Sequence, residues 1–162
     1  SINKRIQVLT GNTMITDNIR VIMSDETDGF RPSLNKYLYQ KKDGIKVQDD
    51  FKHESTLVII DKKELVLFNS CSHSGVSNII ESVRKALPGY KIRSFVGGMH
   101  LCNPGGNVFE DPENIEKLAI TLAKFKINYY TGHCTGKIPF GILSKTPGLN
   151  IEQISTGMKL KV

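Results

Sequence analysis

Apolar positions follow two different rhythms along this chain. In the first half they come in short runs of strand length, at 6–9, 19–23, 57–60 and 65–68. Asp61, Lys62 and Lys63 form a polar turn between the last two runs, which predicts an antiparallel hairpin. Residues 25–50 are polar and broken by Gly29, Pro32 and Gly44, so they read as a long loop excursion with a short helix near 34–39. The second half turns helical in period. Val76, Ile79, Ile80, Val83 and Leu87 recur on one face until Pro88 and Gly89 stop them. A strand at 92–96 follows. Asp111 reads as an N-cap with Pro112 in the first helical position, ahead of an apolar face of Ile115, Leu118, Ala119, Leu122 and Phe125. A strand at 127–130, a short helix within 137–145 and short strands at 151–154 and 158–162 complete the pattern. This order predicts an α/β (α+β) fold, a mixed sheet with helices on its face, in one domain over residues 1–162.

The chemistry gathers just past the strands. "NSCSHSG" (69–75), "VGGMHLC" (96–102) and "YTGHCTG" (130–136) are loops of small residues, each with a histidine and a cysteine within two positions of one another. In sheets of this kind the loops at the carboxyl ends of strands converge on one crevice, so His73, His100 and His133 are expected to meet in space. Imidazole is the commonest nitrogen ligand for zinc and similar metals, and two or three histidines with an open position make a catalytic rather than a structural site. Ser74, Gly98, Thr135 and Gly136 are the candidates for holding a bound anion, although ordinary loop capping explains the hydroxyls equally well. For Cys71, Cys102 and Cys134 the readings run in the order packing, ligation, nucleophile; no C-x-x-C pair is present. His53, among charged neighbours, reads as a surface residue, and Glu54, Asp61 and Glu64 have no catalytic role in this reading.

Composition narrows the field. With 39% hydrophobic and 23% charged residues the chain is ordinary globular protein, and no apolar run approaches the roughly 18 residues of a membrane helix. Three cysteines at irregular spacing suggest no disulfide framework, which points to a reducing, cytoplasmic setting. The net charge of +6 suits an anionic partner, but surplus surface lysine is the simpler explanation. Tryptophan is absent and the five tyrosines are not interleaved with basic residues, which argues against nucleic acid.

Read together, "LFNSCSHSGVSNII", "FVGGMHL" and "YYTGHCTG" resemble the metallo-β-lactamase-fold hydrolases, and within them the 7,8-dihydropterin-6-methyl-4-(β-D-ribofuranosyl)aminobenzene-5′-phosphate synthase-like subgroup. The resemblance implies an αββα sandwich with one or two divalent metals at one sheet edge, usually zinc, with manganese or iron as alternatives. It implies that His73 and His133 are metal ligands. His100, where many relatives carry a bridging aspartate, is a third ligand, a proton donor or a substrate contact. It further implies hydrolysis of a small anionic (phospho)ester by a metal-activated water. The alternative is a non-catalytic binding domain built on a structural Cys/His zinc site. The HxHxDH motif that opens the metal site of such relatives does not occur here, and the chain starts at Ser1 without a methionine. Both features lead to the expectation of a C-terminal half that pairs with a missing N-terminal half or with a second copy of itself.

Overall fold

The architecture divides where the apolar rhythm changes. The computed structural model describes residues 5–25 and 28–161. A seven-stranded sheet runs in the order β1-β2-β5-β6-β7-β8-β9. Its first part is a meander of β1 (Thr13–Thr16), β2 (Ile19–Met23), β5 (Ser55–Asp61) and β6 (Glu64–Asn69), every neighbouring pair antiparallel. The turn between β5 and β6 is the expected one, with Lys62 in the left-handed region (φ 58°). Between β2 and β5 the excursion carries a 3-10 turn, Ser33–Tyr37, and a separate hairpin of β3 (Tyr39–Lys42) and β4 (Ile45–Gln48).

From β6 onward the strands are parallel: β7 (Lys91–Gly97), β8 (Asn128–Thr131) and β9 (Asn150–Gln153) add in sequence order. Parallel neighbours need a crossover, and each one here contains a helix: α1 (Val76–Ala86), α2 (Pro112–Phe125) and α3 (Lys137–Leu143). Right-handed crossovers made in one direction put all three helices on one face. One core forms there, from Val58, Leu65, Leu67, Phe95 and Tyr129 of the sheet and Ile79, Ile80, Val83, Ile115, Leu118, Leu122 and Leu143 of the helices. Asp111 caps α2 by accepting the Glu113 N–H at 2.8 Å, with Pro112 in the first turn, as its sequence predicts.

The opposite face bears a row of cross-strand partners, Val21, Leu57, Phe68, Val96 and Tyr130. None belongs to the core, and Leu57 remains 39% exposed. Two expected strands are absent. Residues 6–9 are irregular, with Ile6 and Val8 exposed and no ladder partner. Residues 158–161 form no strand, and Val162 lies outside the described residues. In each place the apolar run pairs with no strand, and pairing rather than composition makes a strand. The strand at Thr13–Thr16, too polar to attract notice, forms because the turn at Asp17 and Asn18 folds it back on β2.

Candidate functional site

Register places the three histidine loops side by side. Asn69 of β6 is level with Gly97 of β7, and Val96 is level with Tyr130 of β8, so the strands end along one rim. The loops are then stitched to one another. The Gly98 N–H donates to Ser70 O (2.9 Å), the Ser72 hydroxyl to Gly98 O (2.6 Å), and the Leu101 and Cys102 N–H groups to Cys134 O (3.0 Å each). Each loop has a non-glycine residue in the left-handed region: Ser72 (φ 58°), His100 (φ 47°) and His133 (φ 51°). Side chains avoid this region by about 1–2 kcal/mol, so the surrounding contacts impose it.

His73 is oriented from the excursion. The Asn35 amide donates to His73 O (2.8 Å), and its oxygen faces His73 Nδ1 at 3.1 Å. In that pairing Nδ1 carries the proton and Nε2 keeps its lone pair. Phe51 stacks on the ring, with centroids 4.4 Å apart and planes within 8°. Glu54, buried, accepts from both the His73 and Ser74 N–H groups at 2.7 and 2.6 Å. Burial lowers the His73 pKa, against a smaller opposing pull from Asp49.

His100 packs against His73, their ring centroids 4.2 Å apart. It is 7% exposed, and burial followed by the charge of His73 holds its pKa down to about 4, so it offers a lone pair rather than a positive charge near neutrality. Its Nε2 is a buried nitrogen without a protein partner. His133 is exposed at the mouth. His53 is 70% exposed in its side chain, close to Asp49 at 3.8 Å.

A different trio comes within ligand reach of one point. One donor atom each from Cys71, His133 and Cys134 lie within 4.8 Å of one another; His73 and His100 are outside this group. The Cys134 thiol accepts the His100 N–H (3.2 Å), and burial, then the neighbouring Cys71, pushes its pKa up to about 12. Cys102 is the packed cysteine, 4% exposed, its thiol donating to Asn103 O. The orphaned Nε2 of His100, the free Nε2 of His73 and the sulfur–imidazole group are donors of the kind that divalent metals take, so the residues present fit a metal at this rim.

His73, His100, His133 and all three cysteines line one cavity of about 810 Å³. Leu38, Pro104, Phe109 and Ile138 give it apolar walls, and Lys137 brings the one ammonium among the described lining residues, none of which carries a carboxylate. Of the candidates for holding an anion, Gly136 lines this cavity (φ 78°, with an added Cβ 2.6 Å from that of Cys102). Ser74, Gly98 and Thr135 are buried behind it. Thr135 Oγ1 accepts the Met99 N–H (3.1 Å) and pairs with the Thr131 hydroxyl. Gly98 leaves room for a sulfur, because a Cβ there would stand 2.6 Å from Cys134 Sγ. Asn35, Phe51, Glu54 (given no catalytic role on sequence) and Lys137 are not marked as site residues by the sequence. The first three come from the segment before β6 and reach His73 only through folding. Lys137 alone carried a local sign, a cation just after a glycine loop.

No protein-family model matches the chain. Over 116 residues it is 29% identical to 7,8-dihydropterin-6-methyl-4-(β-D-ribofuranosyl)-aminobenzene-5′-phosphate synthase of Methanocaldococcus jannaschii, a match covering 71% of this chain and 37% of that protein. The crystal structure of Tm1679, a metal-dependent hydrolase of the β-lactamase superfamily, superposes with a TM-score of 0.80 and 26% identity over 96% of this chain and 57% of that one. Both agree with the family that the three motifs resemble. The chain thus spans little more than a third of the curated relative and just over half of the solved structure.

Proposed function

From a fold shared with a metal-dependent hydrolase of the β-lactamase superfamily, we propose that this chain supplies part of the metal site of a hydrolase acting on a small anionic ester with an apolar body. One observation carries the reading: three histidine loops from three parallel strands open on a single cavity whose walls are apolar and whose permanent charge is Lys137. A phosphate or carboxylate would meet the Lys137 ammonium, while Leu38, Phe109 and Ile138 would hold an aromatic or aliphatic group. The relative from Methanocaldococcus jannaschii, a synthase named for a ribofuranosyl-aminobenzene phosphate, is consistent with such a ligand.

His73, His100 and His133 are the imidazoles that would hold the metal, one or two ions of zinc or, failing that, manganese or iron. When bound, such a cation supplies Lewis-acid stabilisation of developing negative charge and acidifies water. The chain's own part is orientation. Asn35 keeps the proton of His73 on Nδ1, Glu54 fixes the loop behind it, and burial keeps His100 neutral. Apolar walls exclude bulk water from the reacting ester. The alternative, a binding domain with structural zinc, needs a closed set of four ligands; the Cys/His group here has three and faces the cavity.

The test is binding of phenyl phosphate, followed calorimetrically, beside metal content. Lys137→Ala is expected to weaken phenyl phosphate about tenfold while leaving a neutral phenyl ester unaffected. His73→Ala and His133→Ala are each expected to lower bound metal. Equal affinity of the parent and Lys137→Ala for the phosphate, with metal content unchanged in both histidine variants, overturns the proposal.

A further inference from the structure

We infer that Cys71, Cys134 and His133 form a thiolate-rich metal position of their own, selective for a borderline-soft divalent ion such as zinc, with its fourth coordination site open to the cavity. This goes beyond the imidazole site above, with which it shares only His133.

Distance comes first. Two zinc–sulfur bonds of about 2.3 Å at a tetrahedral angle put the sulfurs roughly 3.8 Å apart. The three donor atoms here already lie within 4.8 Å of one another, so rotation of short side chains closes the difference without moving the strands. Next is the support around the sulfur. The His100 N–H points at Cys134 Sγ from 3.2 Å, held there by a backbone in the left-handed region. That N–H is placed to support the sulfur once a cation has displaced its proton, against the burial that holds the free thiol protonated. Gly98 vacates the space that Cys134 occupies, since any Cβ would come within 2.6 Å of the sulfur. All three cysteines line the cavity, but Cys71 and Cys134 are half-buried where Cys102 is 4% exposed, so an ion reaches the first two from solvent.

The charge balance is simple. Each thiol releases one proton to solvent as its metal–sulfur bond forms, neutral His133 gives a lone pair, and two thiolates cancel the charge of a divalent ion. Three protein ligands and one open position are the pattern of a zinc that meets a substrate, not of a zinc that only braces a fold. Two sulfur donors select zinc or cobalt over manganese and magnesium, which prefer oxygen.

Cobalt reports the ligands directly, because thiolate–cobalt charge transfer absorbs in the near ultraviolet. The chain loaded with Co²⁺ is expected to show that absorption, reduced by about half in Cys71→Ser and in Cys134→Ser and lost in the double variant. Cys102→Ser is expected to retain it. Zinc is expected to abolish the band by displacing cobalt, whereas manganese is not. As a check that needs no variant, Zn²⁺ should slow alkylation of Cys71 and Cys134 by iodoacetamide at least about tenfold, reversibly with chelator, and leave Cys102 unchanged. Bound cobalt without the band, or cysteines that alkylate at equal rates with and without zinc, overturns the inference. The two readings separate on His73→Ala, which should keep the thiolate band. Failure of phenyl phosphate binding with the band intact rejects the hydrolase reading alone.

Discussion

Glu54 reaches across nineteen positions to grip the backbone of the His73 loop with both carboxylate oxygens. Charge-assisted bonds to buried N–H groups are among the stronger single contacts in a protein. Glu54→Ala is therefore expected to cost about 2–4 kcal/mol in urea unfolding and to loosen His73, with Glu54→Gln losing less. Gly75 is a second residue whose identity is dictated locally. It has φ 90°, and a Cβ there would run into the Phe30 carbonyl oxygen. Gly75→Ala should destabilise by more than about 2 kcal/mol in the same measurement. The three histidines were legible because small residues bracket each of them. Glu54 and Asn35 were not, since a carboxylate among charged neighbours and an amide in a polar stretch look like surface until the chain folds them under the loop. The cysteines divide in a way that spacing could not show. Cys102 packs as the first sequence reading has it, while Cys71 and Cys134 turn toward His133.

Elements were legible where a cap or a turn residue announced them. Asp111 with Pro112 marked the start of α2, and Asp111→Ala is expected to lower stability by about 1 kcal/mol, read as a fall in Tm. The other end of α2 was less visible. It terminates on Lys126 in the left-handed region (φ 56°), where glycine is the usual occupant. Lys126→Gly should accordingly raise stability by up to about 1 kcal/mol, the opposite sign from a glycine within the helix. Asp43 and Gly44, both at positive φ, form the two-residue turn of the β3–β4 hairpin. That dipeptide is among the better short hairpin signs, and taking Gly44 only as a breaker concealed it. The apolar runs at 6–9 and 158–161 had composition but no partner, so hydrophobicity alone overstated them.

For the molecule as a whole, the alternation of apolar halves was enough to foresee a mixed sheet with helices on one face, but not what lies on the other. The row Val21, Leu57, Phe68, Val96 and Tyr130 stands outside the core, with Leu57 39% exposed and the other four half-buried. Patches of this kind seldom remain wet. At micromolar concentration the chain is expected to self-associate in sedimentation velocity, and Leu57→Lys should shift it toward monomer with little change in Tm. No helix among the described residues is long and apolar enough to cross a membrane. The excursion has a consequence of its own. Asn35 moors one of its arms to His73, Phe51 and Glu54 moor the other, and the Asp43–Gly44 tip between them is bare. A protease that nicks this tip would leave two peptides clasped around the same imidazole, so a severed backbone and an intact histidine rim should coexist.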